Sequence, residues 1–159
     1  MKKTLILTLI ILSFSNQMLG QRENQLNDMI ISSLNSFIAE SNRPMKGVTN
    51  RDTTHYYICR DGLPVFFPYD SMQNVTFVSL RNIEGLPNSF KRKLNNGIRI
   101  LSVSTRLTDN QFIITVSNRH VRRTRRNHLS VETGFHVGFF TYEYCCEKQE
   151  WRLKEIEYR

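Results

Sequence analysis

Apolar residues recur every three or four positions between Glu23 and Arg43, which is the spacing of one stripe along an α-helix. The stripe consists of Leu26, Met29, Ile30, Leu34, Phe37 and Ile38. Pro44 disfavours helical angles at Arg43 and predicts a helix end, followed by a polar loop from Asn42 to Arg51. A helix that precedes strands usually packs such a stripe on a sheet, although the same stripe would also suit a partner protein.

Beyond this helix, runs rich in β-branched and aromatic residues predict strands. Two of these runs, Thr53 to Arg60 and Leu63 to Phe67, flank the dipeptide Asp61-Gly62. Asp-Gly between two such runs predicts a two-residue hairpin, because both central positions of the favoured turn need positive φ. Pro64 lacks a backbone donor, so its segment is expected at an edge of the sheet.

The rest of the chain predicts one short helix and several further strands. Val75 to Leu80 is a strand candidate, and Pro87 to Leu94 fits a helix closed by Asn96 and Gly97. Four strands joined by short turns then follow, over Ile98 to Leu107, Phe112 to Val121, Leu129 to Tyr144 and Trp151 to Tyr158. We therefore predict an α+β domain with one N-terminal amphipathic helix on a curved antiparallel sheet that ends in a four-strand meander.

The end of the meander carries aromatic residues at Phe139, Phe140, Tyr142 and Tyr144, with Trp151 early on the next strand. This order of elements resembles that of small exported bacterial proteins with a cystatin-like or NTF2-like fold. NTF2-like chains begin with more than one helix, whereas one long helix is evident here, so both folds remain open. The resemblance implies no particular activity, because such folds host enzymes, binding modules and structural proteins alike.

The first twenty residues have the pattern of a secretory signal peptide. Lys2 and Lys3 precede the apolar run Leu5 to Leu12, which is too short to span a bilayer. Cleavage after Gly20 would leave residues 21–159 as a single domain in the periplasm or the extracellular space of a bacterium, with no transmembrane anchor. A retained amphipathic or anchoring N-terminus is the alternative. No cysteine lies near Gly20, which argues against a lipid-anchored lipoprotein.

The composition is that of a globular protein with a basic balance. The 159 residues carry a formal net charge of +8, of which Lys2 and Lys3 supply two, so the exported part would keep +6. Aromatic residues make up 11% of the chain and are spread along it, which excludes a disordered, highly charged class.

The strongest cluster of charge lies between Asn118 and His128. It consists of Arg119, His120, Arg122, Arg123, Arg125, Arg126 and His128, and no acidic residue occurs between Asp109 and Glu132. In a hairpin centred near Thr124, the two histidines would face each other at a crowded, exposed tip. Such a tip is suited to an anion on an acidic protein, a glycan or lipopolysaccharide. It would equally serve as a solvated loop. Nucleic acid is not expected, because no aromatic platform is interleaved with the arginines.

Three cysteines would enter an oxidising compartment after export. In that compartment a disulfide between Cys59 and either Cys145 or Cys146 is predicted. Neighbouring strand residues point to opposite faces, so only one of Cys145 and Cys146 can face Cys59. The remaining thiol would be either buried or exposed and reactive.

No motif for catalysis, a metal or a cofactor is evident. The four histidines lack the paired spacings of zinc sites, and five glutamates between Glu143 and Glu157 gather on one hairpin. We therefore expect a small exported binding or accessory protein that uses no cofactor. The alternative is a small NTF2-like enzyme whose pocket lies between helix and sheet, with His136 or Tyr142 and a carboxylate as acid and base. Because Phe, Val and Tyr dominate the inward positions from Phe135 to Tyr144, a filled core is the stronger expectation.

Overall fold

The computed structural model describes residues 24–43, 55–125 and 128–159. Within these ranges the chain has the predicted α+β class, with two α-helices and one six-stranded sheet. Helix α1 covers residues 24–41, and α2 covers Asn88–Asn96. The strands are β1 (Tyr56–Cys59), β2 (Val75–Val78), β3 (Ile98–Thr108), β4 (Gln111–Arg125), β5 (His128–Cys145) and β6 (Glu150–Tyr158). The predicted signal peptide, residues 1–20, and most of the predicted loop after α1 lie outside the described residues.

The strands form one curled sheet in the order β2-β1-β3-β4-β5-β6. The predicted four-strand meander is confirmed, because β3 to β6 are antiparallel neighbours in chain order. The predicted antiparallel sheet is in fact mixed, since β1 is parallel to both β2 and β3. A parallel pair needs a crossover connection, and residues 60–74 supply it between β1 and β2.

The predicted hairpin at Asp61-Gly62 is also wrong. Residues Arg60–Gly62 form a 3₁₀ turn, and the following segment, with Pro64, is not a strand. The Asp61 carboxylate is held at the far end of β2, where it accepts hydrogen bonds from the Ser79 hydroxyl at 2.6 Å and the Leu80 amide at 2.8 Å. Bonds to a distant part of the chain therefore override the local turn preference of Asp-Gly.

The larger core lies between α1 and the near face of the sheet. Met29, Ile30, Leu34 and Phe37 from the helix share one buried cluster with residues of four strands and of the β1–β2 crossover. The sheet and crossover members are Ile58, Phe67, Met72, Leu101, Val103, Ile114, Val116, Phe140 and Tyr142. The apolar stripe of α1 is thus a core face.

A smaller core lies on the opposite face of the sheet, beneath α2. Phe90 and Leu94 from this helix share a buried cluster with Ile100 of β3 and Val121 of β4. The helix ends as predicted at Gly97, which has a φ of 84° and donates its amide to the Leu94 carbonyl at 3.2 Å. The two helices therefore cover opposite faces of one sheet.

A polar contact is built into the larger core. The hydroxyl of Tyr142 lies 3.0 Å from that of Ser33, and both are hydrogen-bonded to the Met29 carbonyl, at 3.1 and 2.8 Å respectively. Burial raises the pKa of Tyr142, although hydrogen bonds from the helix oppose the effect. The contact fixes the position of α1 along β5, because a shift of the helix would leave buried hydroxyls without partners.

Among the described helices, none combines the length and the apolar character that crossing a membrane requires.

Candidate functional site

The basic segment singled out in the sequence forms the outer half of the β4–β5 hairpin. Its two strands pair regularly from Arg119 opposite Thr133 to Arg123 opposite Leu129, and a bulge at Thr124 then brings Arg125 opposite His128. The predicted turn between residues 122 and 127 is shorter than expected, because β4 continues to Arg125. The site is therefore an extended strand pair. Arg126 lies outside the described residues.

Alternation along β4 divides the arginines between the two faces of the hairpin. Val121 is fully buried beneath α2, so Arg119 and Arg123, two residues to either side, belong to the same face. Arg122 lies on the other face, opposite Ser130. Arg119, Arg122 and Arg125 are exposed, whereas Arg123 is half-buried and donates from Nε to the Arg125 carbonyl at 3.3 Å. Exposed guanidinium groups therefore lie on both faces of the hairpin.

The expected pairing of His120 with His128 across the hairpin is wrong. His120 lies opposite Glu132, and His128 lies opposite Arg125, because the turn is centred later than Thr124. His120 forms a long contact with Glu132, with 4.0 Å between Nδ1 and Oε2. Both side chains are exposed, so this pair contributes little to stability.

Carboxylates are scarce around this hairpin. Among the described residues, none comes within 4.0 Å of the guanidinium of Arg119, Arg122 or Arg125. Three like charges held on one strand pair repel each other, and Glu132, the described acid of this hairpin, lies beside His120 and not within ion-pair range of these arginines. The arrangement therefore favours an external anion.

Helix α2 enlarges the basic site in a way that the sequence did not reveal. Its Lys91, Arg92 and Lys93 lie on a helix that packs beside Val121, on the face that carries Arg119. Lys91 donates to the Glu84 carbonyl at 2.7 Å, and Lys93 donates to the Tyr57 hydroxyl and lies over the Tyr57 ring. We call Arg119, Arg122, Arg123, Arg125, Lys91, Arg92 and Lys93 the basic surface. The run Lys-Arg-Lys was visible in the sequence, but its place beside β4 follows only from packing.

Charge is distributed unevenly along the molecule. Within residues 79–125 and 128–139 there are ten lysines and arginines against three acids, whereas residues 140–159 carry four against five. The two ends of β5, a strand of 18 residues, are about 60 Å apart along its path at roughly 3.3 Å per residue. At the acidic end, Arg152 pairs with Glu150 at 2.8 Å and Lys154 with Glu143 at 3.3 Å. Acids and bases there compensate each other, and the net positive field lies with the basic surface.

A cavity of about 470 Å³ lies at the other end of the sheet, between α1 and the β5–β6 hairpin. Its walls are mainly apolar, with Leu26, Met29, Phe112 and Trp151, and its polar lining consists of Gln25, Tyr144 and Gln149. The described part of the lining contains no histidine and no carboxylate. Among the described residues, this cavity therefore brings together no acid–base pair.

The residues proposed for catalysis in the alternative hypothesis do not meet in a pocket. His136 packs against the rings of Phe37 at 4.7 Å and Tyr158 at 5.8 Å between centroids, and its Nε2 is buried without a described hydrogen-bond partner. Tyr142 is bonded to Ser33 and Met29 in the core. Both side chains contribute to packing on α1.

The structure does not bring the predicted disulfide partners together. Cys59 on β1 lies opposite Ser102, while Cys145 ends β5 opposite Glu150, and β3 and β4 separate the two strands. A disulfide requires Cα atoms within about 7 Å. All three cysteines are free thiols, with Cys59 and Cys145 half-buried and Cys146 exposed. Burial raises the pKa of the Cys59 thiol, which lies 3.6 Å from the Asp61 carboxylate.

No cluster of three or more potential metal ligands is present in the described ranges. Comparisons of the chain with protein-family models, with curated proteins and with solved structures found no match. The assignment of a function therefore rests on the geometry of the site.

Proposed function

We propose that this chain is a small exported binding protein that recognises an anionic glycan or envelope ligand through the basic surface. The observation that carries the proposal is the exposure of Arg119, Arg122 and Arg125 without a described carboxylate in ion-pair range. The signal-peptide pattern of residues 1–20 supports export, which would make periplasmic or extracellular anions the relevant ligands.

Arginine is well matched to such ligands. Its planar guanidinium donates two parallel hydrogen bonds to one sulfate, phosphate or carboxylate group, which a lysine cannot do. The strand pair holds guanidinium groups on both faces, and α2 adds lysines on one of them. Repeated anionic groups, as on a sulfated glycan or the phosphates of lipopolysaccharide, would satisfy more of these donors than one isolated anion.

Two other classes of function have less support. An enzyme would need an acid and a base close together, and the described lining of the cavity beside Trp151 offers none. Nucleic acid would be favoured by large aromatic rings interleaved with the arginines, and the segment from Arg119 to Arg125 contains no Phe, Tyr or Trp. From the order of its elements, we also propose a cystatin-like or NTF2-like fold.

The proposal is tested by retention of the purified chain on immobilised heparin and on immobilised lipopolysaccharide, at low and at high salt. The test variant replaces Arg119, Arg122 and Arg125 with serine. A matched control replaces Arg43, Arg106 and Lys148, three exposed residues outside the basic surface, and removes the same charge. We expect salt-sensitive retention that the test variant loses and the control largely keeps.

Equal loss in both variants would mean that only net charge matters, and it would contradict a defined site. Unchanged retention in the test variant would exclude the hairpin as the binding surface. Circular dichroism of both variants checks that each keeps its fold.

A further inference from the structure

Strand β6 is an edge of the sheet. It pairs with β5 along one side, and no other described strand lies along its second side. An exposed edge of nine residues presents unpaired backbone donors and acceptors, which natural proteins usually protect or use for association. The two apolar side chains in the middle of this edge are well exposed, Leu153 at 46% and Ile156 at 40%.

The register with β5 fixes the face to which each β6 residue points. Leu153 lies opposite Tyr142 and Ile156 opposite Phe140, and both partners are buried in the core beneath α1. Directly opposite residues share a face, so Leu153 and Ile156 both point to the α1 side. Trp151 and Tyr158 pack against the same core. The charged residues Arg152, Glu155 and Glu157 are opposite outward-facing positions of β5.

A bulge explains how Leu153 and Ile156 share one face, although an odd number of positions separates them. The register shifts between Thr141 and Tyr142, which leaves Lys154 as the additional residue on β6. Lys154 bonds to Glu143 on the outer face, where Glu155 also lies. The bulge therefore places both Lys154 and Glu155 outward, at the centre of the strand.

The sequence from Glu150 to Arg159 is complementary to its own reverse. If two copies of this segment align antiparallel about a point between Lys154 and Glu155, five kinds of opposite pair form. They are Glu150 with Arg159, Trp151 with Tyr158, Arg152 with Glu157, Leu153 with Ile156, and Lys154 with Glu155. Three of these pairs join opposite charges, and all three lie on the outer face of the sheet. The two apolar pairs lie on the face that α1 covers. One register of two antiparallel copies therefore pairs every charge with its opposite and every apolar residue with an apolar residue on the same face.

We propose that two copies of this chain pair through β6 in this register and form a continuous twelve-stranded sheet about a two-fold axis. The ion pairs of each chain along its own strand, Arg152 with Glu150 and Arg159 with Glu157, are exposed and therefore weak. In the dimer, these ion pairs within one chain are replaced by pairs between the copies, Glu150 with the partner's Arg159 and Arg152 with the partner's Glu157. Leu153 and Ile156 meet the partner's Ile156 and the partner's Leu153 and lose their exposure to water.

The dimer is tested by charge reversal at one cross-strand pair, with self-association of the purified chain measured by sedimentation over a range of concentrations. The pair chosen is Arg152 with the partner's Glu157, which occurs twice in the dimer. Arg152→Glu alone places two glutamates opposite each other at both places, and Glu157→Arg alone places two arginines opposite each other. Each single variant should weaken self-association by about tenfold or more, because two attractive pairs become repulsive. The double variant restores complementary charges and should dimerise like the wild type.

A mixture provides the sharpest readout. A chain with Arg152→Glu complements a chain with Glu157→Arg at both positions, so the mixed sample should form heterodimers although each variant alone stays largely monomeric. Arg106→Glu, a reversal at an exposed position of β3, serves as a control and should leave association unchanged.

Three outcomes would overturn the proposal. They are a wild-type chain that remains monomeric at about 1 mM, a dimer that neither single variant weakens, and single variants that are weakened without rescue in the mixture. Because the basic surface is at the other end of β5, failure of the dimer would leave the anion proposal intact, and the reverse also holds.

Discussion

The tertiary bonds of Asp61 are predicted to be worth more to stability than the surface position of this residue suggests. The carboxylate ties the end of β1 to the end of β2 by accepting from Ser79 at 2.6 Å, Leu80 at 2.8 Å and Arg81 at 3.2 Å. Asp61→Ala removes these acceptors together. Hydrogen bonds to a charged group contribute about 1.5 to 3 kcal/mol when buried. With a discount for solvent screening at this half-exposed site, we expect a total loss of about 2 kcal/mol in the free energy of unfolding.

The same bonds make stability depend on pH. Burial works to raise the pKa of Asp61, but the hydrogen bonds from Ser79, Leu80 and Arg81 outweigh it, and the pKa lies below its ordinary value of 3.8. The stabilising contribution is therefore complete above the pKa of the unfolded chain and is lost as the pH falls through the lower pKa of the folded state. Asp61→Asn keeps one acceptor but no charge, so its deficit relative to wild type should shrink towards pH 2.

Urea unfolding followed by circular dichroism, at pH 7 and at pH 3, measures both effects. Asp70→Ala is the matched control, because Asp70 lies in the neighbouring 3₁₀ turn and is exposed. We expect the control to change stability by less than about 0.5 kcal/mol. The role given to Asp61 is refuted if Asp61→Ala is as stable as Asp70→Ala, or if the difference between wild type and Asp61→Asn grows as the pH falls.

Two further substitutions test the packing on either face of the sheet. Tyr142→Phe leaves the buried hydroxyl of Ser33 with one partner fewer and should cost about 1 kcal/mol, seen as a lower urea midpoint with an unchanged slope. Gly97→Ala should cost about 1 to 2 kcal/mol, because the residue has a φ of 84° and an added Cβ would lie 2.5 Å from the His120 ring. Gly85→Ala, where the added Cβ would meet only the side chain of Asn82, should cost less stability than Gly97→Ala in the same urea unfolding experiment.

Local patterns were sufficient to predict the meander and α2. Alternating apolar residues define β3 to β6 to within a few positions. Pro87 and Gly97 delimit the short helix, because proline fixes its own φ and glycine readily adopts the positive φ that ends a helix. The parallel pairing of β1 was beyond such reasoning, since it depends on bonds between Asp61 and residues 18 to 20 positions away.

The candidate site, like the fold, was predicted only in part. The exposed arginines of β4 were evident from the sequence, whereas the expected contact of His120 with His128 failed because β4 continues past Thr124 to Arg125. The contribution of α2 depends on how Leu94 packs beside Val121. Packing across a sheet joins segments that are distant in sequence, and no local pattern encodes it.

The central claim is that a repeated anion binds at the basic surface, and the most direct test is a titration of the isotopically labelled chain with a heparin-derived oligosaccharide, followed by NMR. We predict saturable shifts of the amides from Arg119 to Arg125 and of those in α2, with little change near the β5–β6 turn. The absence of shifts at this site, or shifts of equal size around Lys148 and Arg152, would contradict the claim.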